Sequence, residues 1–222
     1  MHGASKDGIG YARTVLQTEA NSVTDNPLVF ENGDVISGGN FHGQPVSQAM
    51  DFLAIAVSEI GAIAERRMDR MLDHTRSQGL PPFLAEEVGV DSGLMIGHYT
   101  AAAMASDNKR LAAPASVDSL PTSGMQEDHV SMAWLAVRKL RKVIDNVRRI
   151  LAVEYVCAAR AIDLRAPLEP SPATDALHQL LRTEVAGPGP DRYLAPELAA
   201  AEELLRSDRF AEVLADVGVT LH

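Results

Sequence analysis

The chain has 222 residues, of which 46% are hydrophobic and 23% charged. These proportions are ordinary for a globular chain that forms one or two domains around a sizeable core. The formal net charge of −10 repels phosphate backbones, which excludes a nucleic-acid partner. The single cysteine, Cys157, excludes an intrachain disulfide, and its apolar neighbours predict a buried side chain.

The sequence has no targeting pattern that we recognise. It opens without the features of a signal peptide, and no uninterrupted run of about eighteen apolar residues occurs. We therefore expect no membrane partner. Together with the absence of disulfides, this leads us to expect a cytoplasmic protein.

The first predicted elements are a short helix and a hairpin. Residues 5–20 predict the helix, with apolar side chains on one side. The pair Asn32-Gly33 separates the apolar runs 28–30 and 34–36, and an Asn-Gly pair in that position is a strong hairpin signal. We expect this hairpin to be the only sheet.

Three longer helices are predicted over 45–73, 92–111 and 125–162. In the first and third, apolar residues recur at steps of three and four. Ser123-x-x-Gln126 predicts a capping box before the third helix, which at 1.5 Å per residue would be roughly 50 Å long. An apolar stripe of that length predicts a multi-helix bundle that is completed in part by other chains.

The end of the chain predicts shorter helices, at 173–184, 196–206 and 208–217, after a proline-rich turn. We therefore predict an all-α fold, a long-helix bundle with one small hairpin near the N-terminus. The predicted organisation is a bundle over residues 1–165 and a cap of short helices over 166–222.

No familiar catalytic or metal-binding motif is present. The sequence contains no nucleophile elbow, phosphate loop or dinucleotide fingerprint. His42, His98 and His129 lack metal-type spacing to one another or to acids, apart from Glu127-x-His129. Because Glu127 and His129 lie two positions apart on a predicted helix, they face different directions, and no metal site is predicted.

Two segments carry unusual local chemistry. In 37–43, glycines allow a close backbone approach, and a phenylalanine lies between Asn and His. The segment could line a pocket, or it could be a glycine-rich turn with a core phenylalanine. In 121–132, an amide, carboxylates and an imidazole are adjacent. They could face a ligand, or they could serve only to cap a helix.

These segments, with four others, resemble the histidine ammonia-lyase family of aromatic amino acid ammonia-lyases. Several separate motifs in family order, over roughly residues 3–165, are more specific than any one motif. The matching blocks are Thr24-Asp25-Asn26-Pro27-Leu28, Ile36-Ser37-Gly38-Gly39-Asn40-Phe41-His42, Ile60-Gly61-Ala62-Ile63-Ala64-Glu65-Arg66-Arg67, Gly79-Leu80-Pro81-Pro82-Phe83-Leu84, Pro114-Ala115-Ser116-Val117-Asp118-Ser119 and Gln126-Glu127-Asp128-His129-Val130-Ser131-Met132.

The resemblance implies a helical bundle fold that assembles as a tetramer, with active sites shared between subunits. It implies conversion of L-histidine to trans-urocanate and ammonia. The family's electrophile is methylidene-imidazolone, which forms from an internal Ala-Ser-Gly.

The resemblance also implies roles for four residues. Phe41 matches the phenylalanine that lines the substrate pocket, and Met95 matches a pocket methionine. Glu127 matches the glutamate that binds the substrate imidazole and assists proton transfer, and Gln126 is its pocket neighbour. The related phenylalanine lyases tend to carry lysine and glutamine in place of Met95 and Glu127. A carboxylate accepts an imidazole N–H and gains little from a phenyl ring, so histidine is the expected substrate.

The chain departs from the family in what it does not contain. Ala-Ser-Gly is absent, because Ala4-Ser5, Ala105-Ser106 and Ala115-Ser116 are followed by other residues. The cofactor is therefore expected from a missing N-terminal segment, as are the family's loop tyrosine and the groups that hold the substrate carboxylate.

Three hypotheses follow. The first is a C-terminal fragment or split subunit of histidine ammonia-lyase that is inactive alone, partners an N-terminal lyase segment or subunit, and self-associates into a dimer or tetramer. The second is a non-catalytic helical oligomerisation protein derived from the lyase scaffold. The third is part of a sibling aromatic amino acid ammonia-lyase or aminomutase. Whether the chain is itself an enzyme stays open.

Overall fold

Seven α-helices and one two-stranded antiparallel sheet form the main regular structure of residues 2–221, which are the residues that the computed structural model describes. This confirms the predicted all-α class. The elements are α1 His2–Ala20, β1 Leu28–Val29, β2 Val35–Ile36, α2 Gln44–Leu72, α3 Met95–Leu111, α4 Ala133–Asp163, α5 Pro172–Arg182, α6 Ala195–Arg206 and α7 Arg209–Asp216.

The predicted hairpin is present. Leu28 pairs with Ile36 and Val29 with Val35. The turn between them needs Gly33, whose φ of 90° is a left-handed conformation that glycine adopts without steric cost. The Asn32 side chain also accepts a hydrogen bond from the Asp34 amide at 3.1 Å, as turn asparagines commonly do.

The predicted start of the longest helix is wrong. Helix α4 begins at Ala133 instead of residue 125, and Ser123–Met125 form a short 3-10 turn without a capping box. Ser123, Gly124 and Met125 all have positive φ, at 53°, 64° and 74°. Left-handed residues cannot continue into a right-handed α-helix, so the polar segment that follows is a loop.

The chain divides into two compact units. Residues up to Ile60, together with Asp107–Asp145, form the first unit, and Gly61–Ser106, together with residues from Asn146 onward, form the second. Helices α2, α3 and α4 contribute residues to both units. The predicted boundary at residue 165 does not coincide with this division and stays a prediction about the parent fold.

The first unit has a core of mostly small side chains, which lets α1, α2 and α4 approach closely. Its buried apolar residues are Ala12, Ala49, Met50, Ala54, Ala115, Ala136 and Leu140. The second unit has a larger core. There the short helices α5 and α6 bury Leu181 and Leu204 in the same cluster as Met68 and Ile150. The short helices of the tail are therefore part of a core that they share with longer helices.

Helix α2 is long and apolar enough to cross a membrane, judged by length and composition alone. Core helices of soluble proteins pass the same test. Two of its carboxylates, Asp51 and Glu65, are buried and hydrogen-bonded to protein groups, and each unit packs part of α2 into its core. Helix α2 therefore has the features of a core helix.

Cys157 is fully buried, as predicted. Burial raises the pKa of its thiol to about 12, and the nearby Glu154 carboxylate acts in the same direction. The thiolate is the reactive form of cysteine, so this side chain acts as a small apolar group in the second core.

Large apolar side chains are also exposed in each unit. Trp134, near the start of α4, is 74% exposed in this chain. The sequence predicts that the apolar stripe of this helix is covered in part by other chains. In the same unit Tyr11 and Phe52 make an edge-to-face contact at 5.4 Å between ring centroids, and about half of each side chain is accessible. An exposed aromatic pair of this kind is a candidate contact surface for another polypeptide.

Candidate functional site

The first unit brings two of the motif segments into direct contact. His42 Nε2 lies 2.8 Å from Glu127 Oε2, although the residues are 85 positions apart in sequence. Both side chains are partly accessible, at 26% for His42 and 32% for Glu127. The contact places a carboxylate with solvent access beside the segment that carries Phe41.

The Phe41 segment is held in place from both sides. Asn26 Oδ1 accepts hydrogen bonds from the Ser37 hydroxyl and the Gly38 amide, at 3.1 and 3.0 Å. Asn40 Nδ2 donates to Glu19 Oε2 on α1 at 2.8 Å. A Cβ at Gly38 would lie 2.8 Å from the Asp25 carbonyl oxygen, so only glycine fits there.

Phe41 itself is 41% exposed, and its ring lies against the His42 ring with 4.3 Å between centroids. Gly43, which follows His42, has a φ of 70° and leads the chain into the first turn of α2. A rigid turn thus presents one apolar ring and one imidazole side by side. The alternative that Phe41 is a core residue is wrong for this chain.

Glu127 is fixed through its main chain by a bridge to Thr122. The Thr122 amide donates to the Glu127 carbonyl at 3.0 Å, and the Glu127 amide donates to the Thr122 carbonyl at 3.3 Å. Just beyond it, the Val130 amide donates to the Ser119 hydroxyl at 3.0 Å. The loop is therefore pinned on both sides of the carboxylate, and the prediction that Glu127 lies in a first helical turn is wrong.

Gln126 lies in the same loop, and its side chain is exposed. Its amide donates to the Ser123 carbonyl at 3.3 Å, which belongs to the short 3-10 turn. Within residues 2–221 no hydrogen bond joins Gln126 to the Phe41 segment, and its role stays a prediction.

Met95 lies in the second unit, as the first residue of α3, and is half-buried. The turn before it depends on Gly93, whose φ is 58° and whose missing Cβ would be 2.5 Å from the Phe83 carbonyl oxygen. The amides of Ser92 and Gly93 both donate to the Asp191 carboxylate, at 2.6 and 2.8 Å. The position of Met95 is therefore set by well-anchored backbone.

Another histidine–carboxylate pair, which the sequence analysis did not predict, lies in the second unit. His98 Nε2 is 2.8 Å from Glu65 Oε1, and the Glu65 side chain is 7% exposed. Burial acts to raise the pKa of Glu65, but hydrogen bonds from Arg66 and His98 outweigh it, and the pKa is lowered. Each residue belongs to a different helix, so local spacing could not reveal the pair.

The described residues contain no group of three or more His, Cys, Asp or Glu side chains placed to hold a metal ion. The first unit does contain a buried hydrogen-bond acceptor without a donor among the described residues. Gln44 Oε1, three residues after Phe41, is buried and finds no donor within residues 2–221. The chemistry that the site offers is recognition of a ring, by an apolar surface at Phe41 and a hydrogen-bond acceptor at Glu127.

A family model described as "aromatic amino acid lyase" matches residues 1–183. Among curated proteins, the histidine ammonia-lyase of Streptomyces avermitilis is 58% identical over 205 residues, which are 92% of this chain and 40% of that protein. The histidine ammonia-lyase of Vibrio cholerae is 56% identical, with the same coverage. The chain therefore spans about 40% of the length of these relatives.

Solved structures of the same family superpose on this chain with the same partial coverage. The crystal structure of histidine ammonia-lyase from Trypanosoma cruzi superposes with a TM-score of 0.91 at 43% identity, over 96% of this chain and 42% of that one. The tyrosine aminomutase of Streptomyces globisporus superposes with a TM-score of 0.94 at 38% identity, over 99% and 42% of the two chains. The fold is thus common to proteins that are named for different amino acids.

Proposed function

Because the chain belongs to the aromatic amino acid lyase family and corresponds to a C-terminal portion of its members, we propose that it supplies part of the substrate pocket of a histidine ammonia-lyase. The proposed reaction converts L-histidine to trans-urocanate and ammonia. Since the chain spans about 40% of its relatives' length, the activity belongs to an assembly with the remaining polypeptide. The chain alone is inactive.

One observation carries the proposal: the contact that ties the Phe41 segment to Glu127 in the same unit. In the proposed site the imidazole of the substrate lies against Phe41, and a ring N–H donates to the Glu127 carboxylate. A site that hydrogen-bonds a ring N–H discriminates against rings without that donor, because the acceptor is then left without a partner. The carboxylate therefore favours histidine over phenylalanine, although the fold alone would also suit a tyrosine aminomutase.

Methylidene-imidazolone, when bound, supplies the electrophile that makes the amino group a leaving group. The sequence of this chain contains no Ala-Ser-Gly, so the group comes with another segment. The open face of Phe41 and the unpaired acceptor Gln44 Oε1 fit a polar ring supplied from outside the described residues. Within this chain, Glu127 orients the substrate ring and accepts or returns a proton at a ring nitrogen.

The proposed function is tested by mixing this chain with the N-terminal part of a relative and following urocanate absorbance. We expect turnover of histidine in the mixture and none in either part alone, because neither part contains all groups of the site. Phenylalanine and tyrosine are the control substrates. Turnover of one of these and not of histidine would favour the sibling lyase or aminomutase. A stable but inactive assembly would favour the non-catalytic scaffold.

The exposed aromatic side chains support self-association. We expect static light scattering to give the mass of a dimer or tetramer for the isolated chain, because Trp134, Tyr11 and Phe52 would otherwise remain in water. Trp134→Glu should lower the average mass, and Glu31→Gln, in the exposed hairpin turn, should not. A monodisperse wild-type monomer would contradict the proposed self-association.

We place the assembly in the cytoplasm.

A further inference from the structure

We propose that His42 is a positioning residue that holds the Glu127 carboxylate in the orientation in which it receives the substrate ring. The inference rests on the proposed function, because it concerns the same site. It adds a residue that neither the sequence motifs nor the family comparison assigned to a role.

The first argument is that the Glu127 side chain has one anchor. Its main chain is fixed by the bridge to Thr122, but that bridge leaves the side-chain torsions free. Among residues 2–221, His42 is the hydrogen-bond partner that the Glu127 carboxylate has. Without it, a side chain that is one-third exposed would sample several rotamers, which costs binding energy when the substrate arrives.

The second argument is that His42 is itself held firmly. Its carbonyl oxygen accepts a hydrogen bond from the Ser131 hydroxyl, which ties the α2 side of the site to the loop that carries Glu127. Its ring lies against the Phe41 ring, and the chain beyond it turns at Gly43 directly into α2. Because His42 is fixed at the start of α2, its ring can hold the Glu127 side chain in one orientation.

The third argument is that the contact with His42 leaves one carboxylate oxygen of Glu127 available to the substrate. His42 Nε2 engages Glu127 Oε2, so Oε1 is left to accept the substrate N–H. A carboxylate can serve two donors in this way because each oxygen has lone pairs for its own partner. The Phe41 ring, the His42 ring and the Glu127 carboxylate thus form one continuous line of contacts, which fixes the distance between the apolar and polar recognition elements.

The contact can be tested in the isolated chain by NMR of ¹⁵N-labelled histidine rings, with Glu127→Gln as the perturbation. We expect the ring nitrogen shifts of His42 to change, because its charged partner is lost. His74, which is exposed in the second unit, is the matched control and should not change. His42 shifts that stay the same in Glu127→Gln would overturn the proposal without any reference to activity.

The positioning role is tested in the assembled enzyme with His42→Leu, Glu127→Gln and the double variant. We expect His42→Leu to lower kcat by about tenfold when Glu127 is present and by less than about threefold in Glu127→Gln, because coupled residues are not additive. His42→Gln should recover much of the loss, since its amide can donate to Glu127. A merely structural histidine would not show this rescue.

Equal losses in both backgrounds, or a glutamine variant no better than leucine, would overturn the role of His42 and leave the proposed function intact. A wild-type assembly that makes no urocanate would overturn both. Far-UV circular dichroism and thermal melting of each variant show whether a loss comes from unfolding. If His42→Leu proves to be destabilised, recovery of kcat in His42→Gln still distinguishes a positioning role of His42 from a role in folding.

Discussion

We expect Asp51→Asn to lower the free energy of unfolding by about 3 kcal/mol, because it removes one partner of a buried ion pair and leaves the other without a counter-charge. For a chain of this size, the loss corresponds to a fall in melting temperature of roughly 6–12 °C. The measurement is urea or thermal unfolding followed by circular dichroism.

The large effect follows from what Asp51 connects within the first unit. Its side chain is 4% exposed and lies on α2. Oδ2 accepts hydrogen bonds from the amides of Ala115 and Ser116, both at 2.7 Å, and Oδ1 accepts one from Lys139 Nζ on α4 at 3.1 Å. An asparagine can turn its oxygen to the two amides, but its NH₂ group then faces the ammonium group, and two donors meet in a buried place.

Two further variants make this test specific. Glu59→Gln, an exposed carboxylate on the same helix, should change stability by less than about 0.5 kcal/mol. Lys139→Met in the Asp51→Asn background should recover part of the loss, since it removes the unpaired ammonium. A loss for Asp51→Asn no larger than that for Glu59→Gln would show that the ion pair does not stabilise the fold.

The same residue gives a pH dependence with a definite sign. Burial acts to raise the pKa of Asp51, but hydrogen bonds from Ser116 and Lys139 outweigh it, and the pKa lies below its ordinary value of 3.8. A depressed folded pKa means that the stabilisation is fully present above the unfolded pKa and is lost as the pH falls through the folded one. The stability gap between wild type and Asp51→Asn should be constant from neutral pH to about 5 and should narrow below about 4.

The regular elements could be predicted because their signals are local. The three-four spacing of apolar residues predicted α2 and α4, and Asn32-Gly33 predicted the hairpin. Helix α2 and the hairpin lie within a few residues of the predicted bounds, whereas α4 begins at Ala133 and not at residue 125. Trp134 shows the limit of this reasoning, since an amphipathic pattern marks a face without saying whether this chain or another covers it. In this structure that side chain is exposed.

The loop 121–132 could not be predicted from its residues. Ser123-x-x-Gln126 is a helix-start pattern, but successive left-handed conformations at 123–125 stop the helix, and nothing in the local composition demands them. The His42–Glu127 contact joins positions 85 residues apart, so no spacing rule could find it. The family motifs did identify both segments, and the residues Phe41 and Glu127 that they indicated lie in the same unit.

From the proposed role of Glu127 we expect Glu127→Gln in the reconstituted enzyme to lower the turnover of histidine by more than tenfold, which corresponds to at least about 1.4 kcal/mol of transition-state stabilisation. Hydrogen bonds to charged groups contribute about 1.5–3 kcal/mol each, so a loss of this size is expected when one of them fails. The measurement is kcat from initial rates of urocanate formation at saturating histidine.

The reason lies in the two demands made on this side chain. In the wild type, Oε2 faces His42 Nε2. In the proposed site, Oε1 accepts the substrate N–H. Glutamine offers one oxygen and one NH₂ group, so it can accept from only one of the two partners, and His42 keeps its contact beside a bound substrate only if its Nε2 accepts from the NH₂ group. In every arrangement the carboxylate charge that strengthens both contacts and stabilises a protonated ring is lost.

The substrate dependence of the loss separates recognition from folding. If Glu127 binds the imidazole, any residual turnover of phenylalanine by the assembly should not fall in Glu127→Gln, because a phenyl ring has no N–H to donate. Glu31→Gln, an exposed carboxylate in the hairpin turn, is the control and should keep wild-type kcat on histidine within about twofold. An unchanged rate on histidine in Glu127→Gln would remove Glu127 from the proposed role. An equal loss of turnover on both substrates would show that Glu127 maintains the structure of the site and does not recognise the imidazole ring.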